Sequence, residues 1–121
     1  MRKVFVTVEV TNVNSNSFTK VRALIDTGAD NTVIPKRLAE DLGVKVRDET
    51  FISTGNGPTK VGVGDIKIFL NGQFAYNTVW ISDKVNKVLI GVVLLEQLGL
   101  KVNPVKGTLE KEQQVLYAVS R

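Results

Sequence analysis

The chain has 121 residues, 43% hydrophobic and 23% charged, with a formal net charge of +4, which describes one ordinary globular domain over residues 1–121. It contains no cysteine and no histidine, so disulfide frameworks, Ser-His-Asp and Cys-His catalysis and the common zinc sites are all excluded. Whatever chemistry it performs rests on carboxylates, hydroxyls, lysines or backbone, and the lack of cysteine fits a reducing cytoplasm.

From the N-terminus, Val4, Val6, Val8 and Val10 alternate with Phe5, Thr7 and Glu9, the period of a strand. Glu9 interrupts this run before a signal-peptide core forms, and no apolar run approaches the roughly 18 residues of a membrane span. Residues 11–17, TNVNSNS, carry turn chemistry, and a second strand is expected from Phe18 to Ile25. Thr32-Val33-Ile34 reads as extended. Pro35 then opens a short helix, with Leu38 and Leu42 four apart and Gly43 at the C-terminal cap.

VKVRDETFIS (44–53) is strand-like and leads into a glycine-rich turn, TGNGPT (54–59). The strand KVGVGDIKIFL (60–70) and the segment QFAYNTVWI (73–81) flank Asn71-Gly72, the strongest hairpin signal in the chain. A loop (82–86) precedes the short buried strand KVLIG, and VVLLEQLG is a second helix closed by Gly99. The remainder reads as short strands with a turn at Lys106-Gly107. Many short strands with evenly spaced turns and one or two small helices predict an all-β barrel or sandwich.

The one chemically pointed feature is ALIDTGADNT (23–32). Asp-Thr-Gly alone suits any turn after a strand. Here Leu24 and Ile25 run straight into Asp26, Ala29 and Thr32-Val33-Ile34 follow the glycine, and VLIG (88–91) adds a second apolar-Gly element that enters a helix at once.

Together these motifs, spread over Phe18 to Pro104, resemble the retropepsin-like aspartic proteases, the family of the retroviral proteases and their cellular and prokaryotic relatives. The resemblance implies a small closed β-barrel with one or two short helices. It implies peptide hydrolysis by a water activated between two aspartates, with no metal or organic cofactor. By resemblance, Asp26, Thr27 and Gly28 are catalytic: Asp26 supplies a carboxylate, Thr27 bonds across to its symmetry mate, and Gly28 lets backbone N–H groups and substrate approach. Leu24 and Ile25 anchor the corner by burial. Ala29, Asp30 and Asn31 are implied substrate contacts, and Thr54, Gly55, Asn56 and Gly57 form the tip of a flap over the substrate.

No second Asp-Thr-Gly or Asp-Ser-Gly occurs. The implied enzyme is therefore a homodimer, with Asp26 of each copy meeting on a two-fold axis. Segments Lys3–Val10 and Val115–Val119 are candidate interface strands by analogy, or equally ordinary barrel strands. Two departures from the viral pattern stand out. Val92 occupies the place of an arginine that pairs with the aspartate at the position of Asp30, and a helix over 35–43 replaces irregular chain.

Two functions are compatible with this reading: an aspartic endopeptidase cutting extended peptide or protein substrates, and a catalytically silent dimeric peptide-binding or assembly module. A nucleic-acid partner is not expected, because no segment combines a basic run with spaced aromatics.

Overall fold

The computed structural model describes residues 3–112. The chain runs β1 (Phe5–Asn12), β2 (Thr19–Ile25), β3 (Val33–Pro35), α1 (Lys36–Leu42), β4 (Asp48–Thr54), β5 (Gly57–Leu70), β6 (Gln73–Ser82), β7 (Val88–Ile90), α2 (Val92–Leu98), β8 (Leu100–Asn103) and β9 (Thr108–Lys111). Seven strands form one sheet in the order β1-β2-β7-β3-β6-β5-β4. A further antiparallel pairing of β1 with β5, Glu9 opposite Phe69 through Asn12 opposite Ile66, closes six of them into a barrel. The seventh, β4, hangs from β5 outside that ring. The expected closed β-barrel with two short helices is the architecture found.

Alternation along the strands explains the core. Val8 and Val10 of β1, Ala23 and Ile25 of β2, Ile66 and Ile68 of β5, Val79 and Ile81 of β6, and Val88 and Ile90 of β7 all point inward and are buried. Each isoleucine fully removed from water contributes about 2 kcal/mol, so this inner face is what holds the ring shut. Leu94, Leu95 and Leu98 place one face of α2 against it. Gly99, at φ 66°, ends that helix, as Gly43, at φ 73°, ends α1. Asn71 (φ 54°) and Gly72 (φ 77°) both take left-handed conformations, as the expected β5–β6 hairpin turn requires.

Three boundaries differ from expectation. The strand expected from Val44 starts only at Asp48. Val44 is buried and its N–H closes the α1 cap on the Ala39 carbonyl (2.8 Å), so helix termination takes that residue. The glycine-rich turn is a two-residue turn at Gly55-Asn56, because β5 already begins at Gly57 and stays paired with β4 through Pro58. The last turn spans 104–107, and β8 and β9 pair as a separate two-stranded sheet. The candidate interface strand Val115–Val119 lies outside the described residues. Its counterpart Lys3–Val10 is largely β1, a barrel strand bonded to β2 from Phe5 to Val10.

The aromatics are less scattered in space than in sequence. Phe18, Phe74 and Tyr76 make two edge-to-face contacts, with centroids 6.5 and 5.1 Å apart. Phe69 stands opposite Phe74 in register. Lys67, which is 7% exposed, lies 5.7 Å above the Phe18 ring and donates to Asn16 Oδ1 (3.0 Å).

Candidate active site

The parallel pair β2–β7 positions the corner. Ile25 lies beside Ile90, and the next N–H, that of Asp26, donates to the Ile90 carbonyl (2.8 Å). Two strands thus end side by side, one delivering Asp26 and the other Gly91. Ile25 is 8% exposed and anchors the corner from inside the barrel. Leu24 points the other way and is only half-buried, so of the two expected anchors Ile25 alone is a core residue.

Asp26 is half-buried, and its Oδ1 accepts the Gly28 N–H (3.0 Å) while its carbonyl accepts the Ala29 N–H (3.1 Å). A side chain at Gly28 would begin 3.3 Å from that same Oδ1, so glycine keeps the approach open. Thr27 is exposed at the crest, and its hydroxyl has no hydrogen-bond partner within the subunit among the described residues.

Beyond the glycine, the corner is locked to α2. The first N–H groups of a helix have no partner within it, and α2 has no side-chain cap. Instead the Val92 N–H donates to the Ala29 carbonyl (2.9 Å) and the Val93 N–H to the Asp30 carbonyl (3.0 Å). Gly91 fits under this crossing because it lacks a Cβ. A methyl there would lie 2.5 Å from both the Asn31 carbonyl carbon and the Asp30 oxygen. The Gly91 N–H donates to the buried Thr32 Oγ1 (3.1 Å), and the Thr32 carbonyl accepts from Trp80 (3.0 Å).

Thr32, whose hydroxyl ties Gly91 to the segment after the corner, is a residue that sequence reading passed over as part of an extended segment. Its only sequence signal is a hydroxyl between the corner and the apolar pair Val33-Ile34. With Val92 following Gly91, the Asp30 carboxylate has no ion-pair partner among the described residues and is exposed.

The structure therefore gathers Asp26, Thr27, Gly28, Ala29, Asp30 and Asn31 into one knot with Gly91 and α2. Thr54, Gly55, Asn56 and Gly57 belong to a different element, the tip of the β4–β5 hairpin. There the Thr54 hydroxyl donates to the Gly57 carbonyl (2.7 Å) and accepts from the Asn56 N–H (3.2 Å). No heavy atom outside the immediate neighbours lies within 4 Å of a Cβ built on Gly55 or Gly57. At the base of the hairpin, Arg47 Nε donates to Asp65 Oδ2 (2.8 Å) and the Thr78 hydroxyl to Asp65 Oδ1 (2.8 Å). The hydrogen bond from Arg47 holds the Asp65 carboxyl below the usual carboxylate range.

A family model described as aspartyl protease matches residues 6–94, the span that carries the corner, the hairpin, Gly91 and the start of α2. The chain belongs to the aspartyl protease family. Its fold is similar to that of the EIAV protease bound to the inhibitor HBY-793, at a TM-score of 0.67 and 19% identity over 84% of this chain and 93% of that one. The retroviral protease-like domain of Ddi1 from Leishmania major is similar at a TM-score of 0.63 and 22% identity, covering 92% and 90%. A retropepsin-like aspartic protease from Rickettsia conorii is similar at a TM-score of 0.60 and 20% identity, covering 82% and 75%. A search of curated proteins gave no match.

No group of three or more potential metal ligands occurs among the described residues. No described helix is long and apolar enough to cross a membrane. Cavities of about 290 and 110 Å³ open elsewhere on the barrel, and neither borders Asp26.

Proposed function

We propose that this chain is an aspartic endopeptidase, active as a homodimer in which each subunit contributes Asp26 to a water-activating pair. The observation that carries the reading is the corner itself. A single carboxylate is presented at the end of two locked strands, beside an exposed Thr27 hydroxyl with no hydrogen-bond partner among the described residues. A second copy about a two-fold axis supplies both the missing carboxylate and a partner for Thr27.

Two carboxylates that close cannot both ionise, so the pair holds one proton and titrates as a unit. The ionised Asp26 accepts a proton from the water as its oxygen attacks the peptide carbonyl carbon. The protonated Asp26 of the other copy gives its proton to the carbonyl oxygen, leaving a tetrahedral diol. Collapse of the diol breaks the C–N bond. One carboxylate takes a hydroxyl proton and the other delivers one to the leaving nitrogen, so the pair ends with the single proton it began with. Gly28 leaves room for the substrate backbone above the carboxylates, Ala29, Asp30 and Asn31 line its path, and the Thr54–Gly57 tip closes over it. Substrates are extended peptides or unfolded protein, and the cysteine-free chain suits the cytoplasm.

The test is incubation of the wild type and of Asp26→Asn with a mixed pool of unfolded peptides at about pH 3 to 7, the range in which coupled carboxylates titrate, read by mass spectrometry. Cleavage lost in the variant is the expected result. No cleavage by a wild-type sample of confirmed dimeric mass would leave the same groove as a peptide-binding or assembly surface.

A further inference from the structure

The cavity of about 290 Å³ lies at the far end of β2 and β7 from Asp26, under α1. Its floor is apolar: Val88 is buried, and Val21, Pro35 and Leu38 are half-buried. Its rim is cationic. Arg22, Arg37 and Lys87 are all exposed there, against the single carboxylate of Asp41.

The two ion pairs among the described residues are Arg47–Asp65 and Lys60–Glu49. None of the three rim cations therefore has a carboxylate of the described residues within salt-bridge distance. Two of them share one aromatic neighbour: the Arg22 guanidinium lies 4.4 Å from the Phe5 ring centroid and the Lys87 ammonium 5.6 Å from it. Like charges near one another repel, and an anion docked at this rim is attracted by both.

We propose that this cavity docks an acidic peptide segment: glutamates or aspartates flanking one aliphatic or aromatic side chain. Arginine offers carboxylates a paired, planar set of donors, which Arg22 and Arg37 supply. The apolar side chain fills the floor, and the volume suits one or two side chains rather than a larger ligand. A phosphate or polyanion would leave that floor unused. Single-stranded nucleic acid would find no free ring to stack on, because Phe5 is already taken by Arg22 and Lys87. Asp41 repels a continuous run of charge and so gives the bound peptide a register.

The docking site stands apart from the corner, so it holds or fails independently of proteolysis. Its test uses full-length Asp26→Asn protein, which keeps the probe intact whatever the wild type cleaves. Fluorescence anisotropy is measured with a labelled peptide of sequence Glu-Glu-Leu-Glu-Glu, its Gln-Gln-Leu-Gln-Gln and Glu-Glu-Ser-Glu-Glu counterparts, and an oligonucleotide of equal charge.

The acidic leucine peptide is expected to bind at least roughly tenfold tighter than the glutamine form, and to weaken as salt rises. It should also bind several-fold tighter than the serine form. Arg37→Glu with Lys87→Glu should abolish the preference at an unchanged circular dichroism spectrum. Should the reversals not fold, Arg37→Gln with Lys87→Gln replaces them. Backbone amide shifts caused by the peptide should centre on Val21, Leu38 and Val88. Equal binding of the acidic and glutamine peptides, equal binding of the oligonucleotide, or shifts centred elsewhere would each overturn the proposal.

Discussion

The Asp26 corner and the β4–β5 tip are both glycine turns of a few residues, and they are built in opposite ways. At the corner, backbone groups are tied to partners far along the chain: Asp26 to Ile90, Ala29 to Val92, Asp30 to Val93. At the tip, the side-chain hydrogen bonds stay within four residues and the glycines face open space. The corner is immobilised by a crossing from which even a methyl group is excluded, while the tip is free to give. The proposed carboxylate pair would need the first property, and entry of the proposed peptide substrate the second.

The contrast breaks most sharply at Gly91. Gly91→Ala drives a Cβ to 2.5 Å from backbone on the other side of the crossing. The expected cost is about 3 kcal/mol or more, at the top of the overpacking range, seen as a large fall in melting temperature. Thr32→Val keeps the shape but orphans the buried Gly91 N–H. A loss of about 1–3 kcal/mol in denaturant unfolding is expected, and with it a drop in any Asp26-dependent cleavage.

The tip sharpens the same comparison. Gly57, at φ 100°, cannot take a side chain without strain, whereas Gly55 adopts no such conformation. Gly57→Ala should therefore cost about 1–2 kcal/mol, and Gly55→Ala should stay within about 0.5 kcal/mol of wild type, both by thermal melting.

The smallest effect is expected at the hairpin base. The Asp65 carboxyl has its folded value lowered by Arg47. Its stabilisation is therefore complete above the ordinary aspartate value of about 3.9 and is lost as pH falls through the lowered folded value. Both partners are exposed, so the gain is slight and screened by salt. Asp65→Asn should flatten that acid limb of the stability profile in low-salt unfolding titrations and leave the neutral region almost unchanged.

What was legible in the sequence was local. An apolar strand entering Asp-Thr-Gly, a Pro-to-Gly helix at 35–43 and Asn71-Gly72 each carry their signal within ten residues, and all three form as expected. The supports of the corner are not local. Thr32 and Gly91 meet across 59 positions, and nothing in either neighbourhood announces the hydrogen bond. Closure of the barrel by β1 on β5 is equally remote. The glycine-rich turn was overdrawn for a local reason: Gly-Asn-Gly-Pro reads as loop. Pairing with β4 nevertheless carries Pro58 into the start of a strand, where a missing N–H is tolerated. The aromatic cluster around Phe74 was hidden because its members come from two strands and a loop.

Ring closure also decides where this molecule is exposed to its neighbours. Of the seven strands in the main sheet, β4 bonds to β5 and to no other strand. Its outer edge pairs with no strand among the described residues, the Glu49 N–H being taken by Asp48 Oδ1 (2.8 Å), and Phe51, 69% exposed, stands in the middle of it. In a crowded cell such an edge is where stray extended chains would add themselves and begin an aggregate. Asp48 and Glu49 at the start of β4 keep the edge charged, and Arg47 bound to Asp65 pins its root to the barrel. The same edge that would admit an extended guest is thus the site at which solubility has to be defended, and neutralising Asp48 and Glu49 would trade one for the other.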